Sequence, residues 1–327
     1  MEDPVETLVG AISDSVGTTE VAMQLIIGAF GLLFLGYAFH WEGRRYSTYS
    51  AVFGWPLIGV FFYLYSDHYV EIDDPVLVLM TAGALPAGLA MSYWESLNDQ
   101  SGRDSLVWLR GCVVWSMIPY FGIFGVPHLN MAFVQITASS ANMMLEFAGL
   151  GGYEIGEMMI QRHESEAIRV SEWEGNRWIL SETLGEGGFY VSMSTSDGYP
   201  VVAFILACSA LQSMAVFIGA IVALRTVHWK RRVRALIIAL PTIHILNVFR
   251  NSGIVWLTHT YPDWSFMGIG MFEFTHSYAA KFASLFAMFL MAVALFDLLP
   301  ELHKHITRIT GPIASVLGNK KAESQHS

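Results

Sequence analysis

The chain has 327 residues, of which 54% are hydrophobic and 14% charged, with 18 Lys and Arg against 28 Asp and Glu. Soluble domains average about 25% charged residues, so this composition excludes an ordinary soluble globular protein and points to a chain built for a bilayer. The acidic balance, with no basic stripe outside one short loop, excludes a surface that tracks nucleic-acid phosphates.

The N-terminus, Met1-Glu2-Asp3-Pro4, is acidic and lacks a positive n-region, so no cleavable signal peptide is expected. A spanning helix needs roughly 20 mostly apolar residues. The candidates in chain order are Val21–His40, Tyr49–Tyr65, Val76–Met91, Ser105–Phe124, Val201–Leu224, Ala235–Leu257 and Phe272–Leu299. Met131–Leu150 is long enough, but Gln135, Ser139, Ser140, Asn142 and Glu146 make it too polar to face lipid. Charge assigns its role. The Arg44-Arg45 loop, the acid-free loop from Arg225 through Lys230-Arg231-Arg232 to Arg234, and the tail with Lys304, Arg308, Lys320 and Lys321 read as cytoplasmic. Seven crossings with the N-terminus outside place all three inside, whereas an eighth would put the first loop opposite the other two. Met131–Leu150 is therefore expected as an interfacial or re-entrant helix on the outer face, where its polar groups find water or protein.

That topology exposes residues 151–199 outside. The segment is acid-rich, with Glu154, Glu157, Glu164, Glu166, Glu172, Glu174, Glu182, Glu186 and Asp197. Ile168 to Trp173 and Phe189 to Met193 alternate at the strand period, while Glu174-Gly175-Asn176-Arg177 and Gly185-Glu186-Gly187-Gly188 read as turns. The expected fold is an all-α polytopic membrane protein of about seven transmembrane helices, N-terminus outside, with a small extracellular β-containing insert. Residues 1–327 form a single integral membrane domain, and 151–199 is the insert within it.

Three polar residues fall in consecutive apolar segments near the outer end: Cys208, Arg250 and His276. On this topology Cys208 and Arg250 lie about two turns below the outer ends of their spans and His276 about one turn into the last. At about 1.5 Å per residue these depths agree to within roughly 10 Å. An arginine at mid-membrane costs about 2.5–3.5 kcal/mol on insertion scales, and is tolerated when it faces a polar cavity or a partner. Each residue also has a plain structural reading. Arg250 can snorkel to the headgroups, His276 can be interfacial, and Cys208 can behave as a small hydrophobe. The other cysteine, Cys112, lacks comparable polar company and is assigned no role. The two cysteines sit in different spans and are expected as free thiols. The conjunction carries the weight. A nearby imidazole or guanidinium lowers a thiol pKa, Arg250 can hold the oxyanion formed when Cys208 attacks a peptide carbonyl, and His276 can protonate the leaving amine and then activate an acceptor. Asn247, one turn from Arg250, can orient it or simply bond a neighbouring helix.

Ala207-Cys208-Ser209-Ala210-Leu211-Gln212-Ser213-Met214, then Asn247-Val248-Phe249-Arg250 after Pro241, then His276, resemble the exosortase/archaeosortase family of polytopic membrane transpeptidases. The resemblance covers roughly Tyr199 to Leu299, and the earlier spans match only as hydrophobic helices. It implies a cysteine transpeptidase in the plasma membrane, with no cofactor and no metal, whose active site of Cys208, Arg250 and His276 faces the extracellular side. The implied partners are exported surface proteins carrying a C-terminal Pro-Gly-Phe-type sorting signal, an apolar helix and a basic end. Cleavage passes through a Cys208 thioester, and the new C-terminus goes to an acceptor, a membrane lipid amine. Some archaeal members use a second arginine where others use histidine; this chain has no arginine between Arg250 and Arg308, so that role falls on His276.

Other readings compete. A transporter or channel would line a polar path with His244, Arg250, His276 and Lys281, although no broken, pseudo-symmetric helices support it. A retinal protein would use Lys281 as a Schiff base, but the third span offers no mid-depth carboxylate counter-ion. A serine protease is disfavoured by the lack of a Gly-x-Ser-x-Gly motif. His303 and His305, at i and i+2, point to different helix faces and make a poor metal site.

Overall fold

The computed structural model describes residues 4–71, 75–97, 102–163, 165–180, 182 and 184–311. Met1 to Asp3 of the acidic N-terminus and Lys320 and Lys321 of the basic tail lie outside the described residues. The chain divides into two compact units.

The first unit runs to Val114, with Val222–Arg225 and the stretch from Glu301 added to it. Its elements are α1 (Pro4–Val16), α2 (Glu20–His40), α3 (Ser47–Tyr63), α4 (Ser66–Glu71), α5 (Pro75–Ala82), α6 (Ala84–Ser96) and the first half of α7 (Arg103–Gly125). Thr19 caps α2, its hydroxyl accepting from Ala22 N at 3.2 Å. The helices approach closely because small residues line the contacts. A Cβ on Gly59 of α3 would stand 2.9 Å from Ala84 O, and one on Gly88 of α6 would stand 2.6 Å from Trp55 O. In a bilayer, where apolar surface alone does not drive helices together, such backbone approach supplies the packing.

At the heart of this unit Arg110 of α7 is 2% exposed and Glu95 of α6 is 4% exposed. Arg110 Nε donates to Glu95 Oε1 at 2.7 Å, its Nη2 donates to Oε2, and its Nη1 donates to Ala38 O at 3.1 Å. Trp55 Nε1 adds a further bond to Glu95 Oε1 at 3.2 Å. The pair is thus satisfied on both sides, the condition under which a buried ion pair is tolerated.

The second unit comprises Trp115–Ile221 and Thr226–Pro300. It contains α8 (Pro127–Phe147), strands β1 (Tyr153–Arg162), β2 (Ile168–Arg169), β3 (Leu184–Thr195) and β4 (Pro200–Ile205), a 3-10 turn at Leu206–Ser209, α9 (Leu211–Val222), α10 (Trp229–Thr260), a β5–β6 hairpin (Ser265–Phe266 with Ile269–Gly270), α11 (Met271–Glu273), a π-helical turn at Phe274–Ala279, and α12 (Ala280–Leu298). The sheet is antiparallel in the order β2-β1-β3-β4. Among the described residues five helices are long and apolar enough to cross a membrane: Glu20–His40, Val76–Ser96, Arg103–Gly125, Trp229–Thr260 and Met271–Leu298. The result is a mostly helical, multi-pass membrane protein with a β-containing insert.

Of Met131–Leu150, the part through Phe147 is helical, and two stripes on α8 explain its mixed composition. Val134, Ala138, Ala141 and Leu145 are buried together with Tyr153, Val191, Met193, Phe204, Cys208 and Val255, so one face of α8 packs on the sheet. Gln135, Ser139, Asn142 and Glu146 form the adjacent stripe, where Gln135 Nε2 donates to Ser139 Oγ at 3.4 Å and Asn142 Nδ2 to Glu146 Oε1 at 3.0 Å.

Three local expectations change. Val201–Leu224 is not one spanning helix: its first part is the edge strand β4, then a 3-10 turn, and only Leu211–Val222 is helical. A short apolar run such as Val201-Val202-Ala203-Phe204-Ile205 fits helix or strand equally by pattern, and pairing with β3 decides it. Gly185 to Gly188 is no turn but part of β3, bulged opposite Gln161, with Gly188 at φ 52°. From Ile168 to Trp173, only Ile168–Arg169 pairs as strand. Beyond it Trp173 folds back, its ring edge-on to Phe189 at 5.4 Å.

Candidate active site

Cys208 is placed by β4 and α9, and not by a spanning helix. β4 ends at Ile205, the 3-10 turn carries Cys208, and Ala210 then adopts φ 58° and ψ 16° before α9 starts at Leu211. A left-handed backbone costs a non-glycine residue roughly 1–2 kcal/mol, and persists only where the surroundings impose it. The surroundings here are specific. Ser209 Oγ donates to Leu206 O at 2.6 Å and accepts from Leu211 N at 3.2 Å, tying the turn to the first residue of α9. Asn247 Nδ2 and Asn251 Nδ2, one turn apart on α10, both donate to Cys208 O, at 2.7 and 3.0 Å.

The thiol is buried. Cys208 lies outside the helices long enough to cross a membrane. Burial pushes its thiol above the ordinary value, against the opposing pull of the Ile205 backbone and the Arg250 charge. Unaided it rests as a neutral thiol; the Arg250 charge and the nearby start of α9 both favour the thiolate. Both cysteines are free, and Cys112 belongs to the other unit.

Arg250 lies between Asn247 and Asn251 on the same face of α10. Its Nε is buried and has no hydrogen-bond partner among the described residues. A buried donor left unpaired costs about 1–3 kcal/mol, more on a charged group. His276 sits in the π-helical turn, its ring stacked on Phe272 with centroids 5.3 Å apart and planes 9° from parallel. π-turns re-aim side chains at functional sites.

One cavity of about 110 Å³ gathers these elements: Val202, Ala203, Phe204 and Ile205 of β4, Cys208, Asn251 and Ile254 of α10, and Phe272 and His276 line it. The structure therefore puts Cys208 and His276 on a single cavity wall, with Arg250 in electrostatic reach of the thiol though not among the lining residues. Asn247 holds the Cys208 carbonyl. Asn251 and β4 went unnoticed in the sequence; two asparagines at i and i+4 in an apolar helix were the signal for the clamp. Among the described residues no group of three or more His, Cys, Asp and Glu side chains is placed to hold a metal ion. Chemically the arrangement offers a nucleophile, a cation for developing negative charge, and an imidazole for proton transfer.

Comparison with known proteins gives two matches. The model of the transmembrane exosortase family (Exosortase_EpsH) matches residues 20–296. Archaeosortase A of Haloferax volcanii is similar, 26% identical over 214 residues that cover 65% of this chain and 62% of the relative. The match thus spans less than two thirds of that relative's own length. No solved structure matches.

Proposed function

This chain belongs to the transmembrane exosortase family, and from that premise we propose that it is a membrane-embedded cysteine transpeptidase that processes the C-terminal sorting signals of exported surface proteins. The observation that carries this reading is the cavity shared by Cys208 and His276, beside an Arg250 whose Nε is buried and unpaired.

The steps follow from the side chains. His276 takes the Cys208 proton, and the thiolate attacks the scissile carbonyl carbon. The electron pair moves onto the carbonyl oxygen, where Arg250 stabilises the charge in a water-poor site. The tetrahedral adduct collapses, the C–N bond breaks, and His276 protonates the departing amine. A thioester on Cys208 remains. An acceptor amine, from a membrane lipid, gives its proton to His276, attacks the thioester and releases the thiolate, which is reprotonated. The site faces the extracellular side of the plasma membrane, where a substrate held by its own apolar helix presents the Pro-Gly-Phe-type motif at the membrane surface. The acidic residues of 151–199 would share that side.

The test follows one surface protein with a C-terminal sorting helix by mass and gel mobility, in cells lacking the native gene and supplied with wild type or Cys208→Ala. The expected result is an uncut helix in the variant. Unchanged processing would overturn the acyl-transfer reading and leave a polar transport path as the better account, for which Cys208 is dispensable.

A further inference from the structure

The cavity wall has a feature that the three side chains do not explain. Four consecutive residues of β4, Val202 to Ile205, line it. Side chains alternate across a strand, so four in a row cannot all face one cavity through their side chains. The strand meets the cavity along its backbone edge. Among the described residues that edge has no strand partner: β4 is the last strand in the order β2-β1-β3-β4 and pairs with β3 alone, through Tyr190↔Ile205, Val191↔Phe204, Ser192↔Ala203 and Met193↔Val202. In an antiparallel pair, alternate residues of an edge strand turn both N–H and C=O away from the partner. Such an edge is a template for another strand, and this one leads into the turn that carries Cys208. Ile254 and Phe272 also line the cavity and give it apolar surface, and His276 lines it too.

We propose that the free edge of β4 binds the substrate as an added antiparallel strand, so that main-chain hydrogen bonds to Val202–Ile205 lay the scissile peptide against the Cys208 thiol. This deepens the transpeptidase reading and rests on it for the identity of the occupant: an extended polypeptide segment flanking the cleaved bond. The mode of binding has a clear signature. Main-chain bonds give affinity at every second residue of the ligand, and pockets for the alternate side chains give selectivity. A peptide bound as a helix, or held only by its side chains, would show no such two-residue period.

The experiment uses the wild-type full chain in lipid nanodiscs and a synthetic probe, an N-acylated Ala-Ala-Phe chloromethyl ketone. The Cys208 sulfur displaces chloride to form a thioether, read by mass as a rate of alkylation. Iodoacetamide measures the intrinsic reactivity of the thiol in parallel. The expected result is that the peptidyl probe outpaces iodoacetamide at least tenfold. N-methylation of alternate probe amides should remove most of that advantage, while methylation of the intervening amide changes the rate less than twofold. Equal rates for parent and N-methylated probes, equal losses at every position, or a parent no faster than iodoacetamide would each overturn the edge-binding proposal. The readout is binding and thiol access. It is therefore separate from the Cys208→Ala processing test: failure there sinks the catalytic role of the thiol, whereas failure here sinks only the β4 edge.

Discussion

Arg110 and Arg250 each lie well inside a helix long enough to cross a membrane, one in each unit, and they are treated in opposite ways. Arg110 is sealed in the first unit with Glu95, Trp55 and Ala38 O arranged around it. Arg250, in the second unit, keeps a buried Nε with no partner. A buried charge whose donors are all answered is structure: removing the pair together costs little, and removing half of it costs much. A charge left partly unanswered beside a thiol fits the proposed role of Arg250, which is to receive negative charge during the reaction. Arg110 is buried and Arg250 half-buried, and the inventory of partners separates them further.

The largest effect should come from spoiling the sealed pair. Arg110→Ala leaves Glu95 buried without its cation and is expected to destabilise the protein by about 3–5 kcal/mol, seen as a marked loss of thermal stability in detergent. The double variant Arg110→Met with Glu95→Leu should recover most of that loss; if it does not, the pair is doing more than filling space.

Arg250→Ala should invert this pattern. Removing a donor aimed at developing negative charge costs about 10²–10³ in rate, so processing should fall by that order with the melting temperature little changed. An Arg250→Ala protein that melts like the Arg110→Ala protein would erase the contrast.

Smaller effects belong to the asparagine clamp. Asn247→Ala or Asn251→Ala alone leaves the Cys208 carbonyl one donor, for about 1 kcal/mol of stability each. Both together leave a buried carbonyl without its side-chain donors, and the loss should exceed the sum. The sharper readout is iodoacetamide alkylation of Cys208, whose dependence on pH should move in the double variant because the turn no longer fixes the thiol.

The mildest test lies back in the first unit. His305 Nδ1 is bonded to Ser105 Oγ at 3.1 Å and its ring stacks on Trp108 at 5.4 Å. Burial, the largest influence on it, holds its pKa below the ordinary value. The unfolded chain then takes up a proton near pH 6.5 before the folded one does, so stability is present above that pH and lost as pH falls through the window below it. His305→Gln should flatten this decline by no more than about 1 kcal/mol. An unchanged pH profile would show that the ring is protonated as easily folded as unfolded.

Much of the helical scaffold was legible in the sequence because long apolar runs have one physical solution in a bilayer. Glu20–His40, Arg103–Gly125 and Met271–Leu298 lie within a residue or two of the expected spans, as did Phe189 to Met193 in β3. Cys208 was legible as a residue to notice, but its position was misread. Val201 to Ile205 carries no period that separates strand from helix, and the partner that settles it, β3, begins some 17 residues earlier at Leu184. Asn251 escaped notice for a related reason: its partner is a backbone carbonyl 43 positions away, and main-chain acceptors leave no mark on a sequence.

Composition and pattern alone therefore determined that this is a multi-pass membrane protein with a β-containing insert, and drew attention to a thiol, a guanidinium and an imidazole. Only the tertiary structure decided that the thiol rides on a strained turn between an edge strand and a helix start, that two asparagines hold its carbonyl, and that Arg110 Nε is paired while Arg250 Nε, among the described residues, is not. The physical reason is the range of the interactions. Burial in lipid acts on each segment separately and is written in local hydropathy. Strand pairing, side-chain clamps and unpaired charges depend on which distant segments meet, and nothing within a single segment records that.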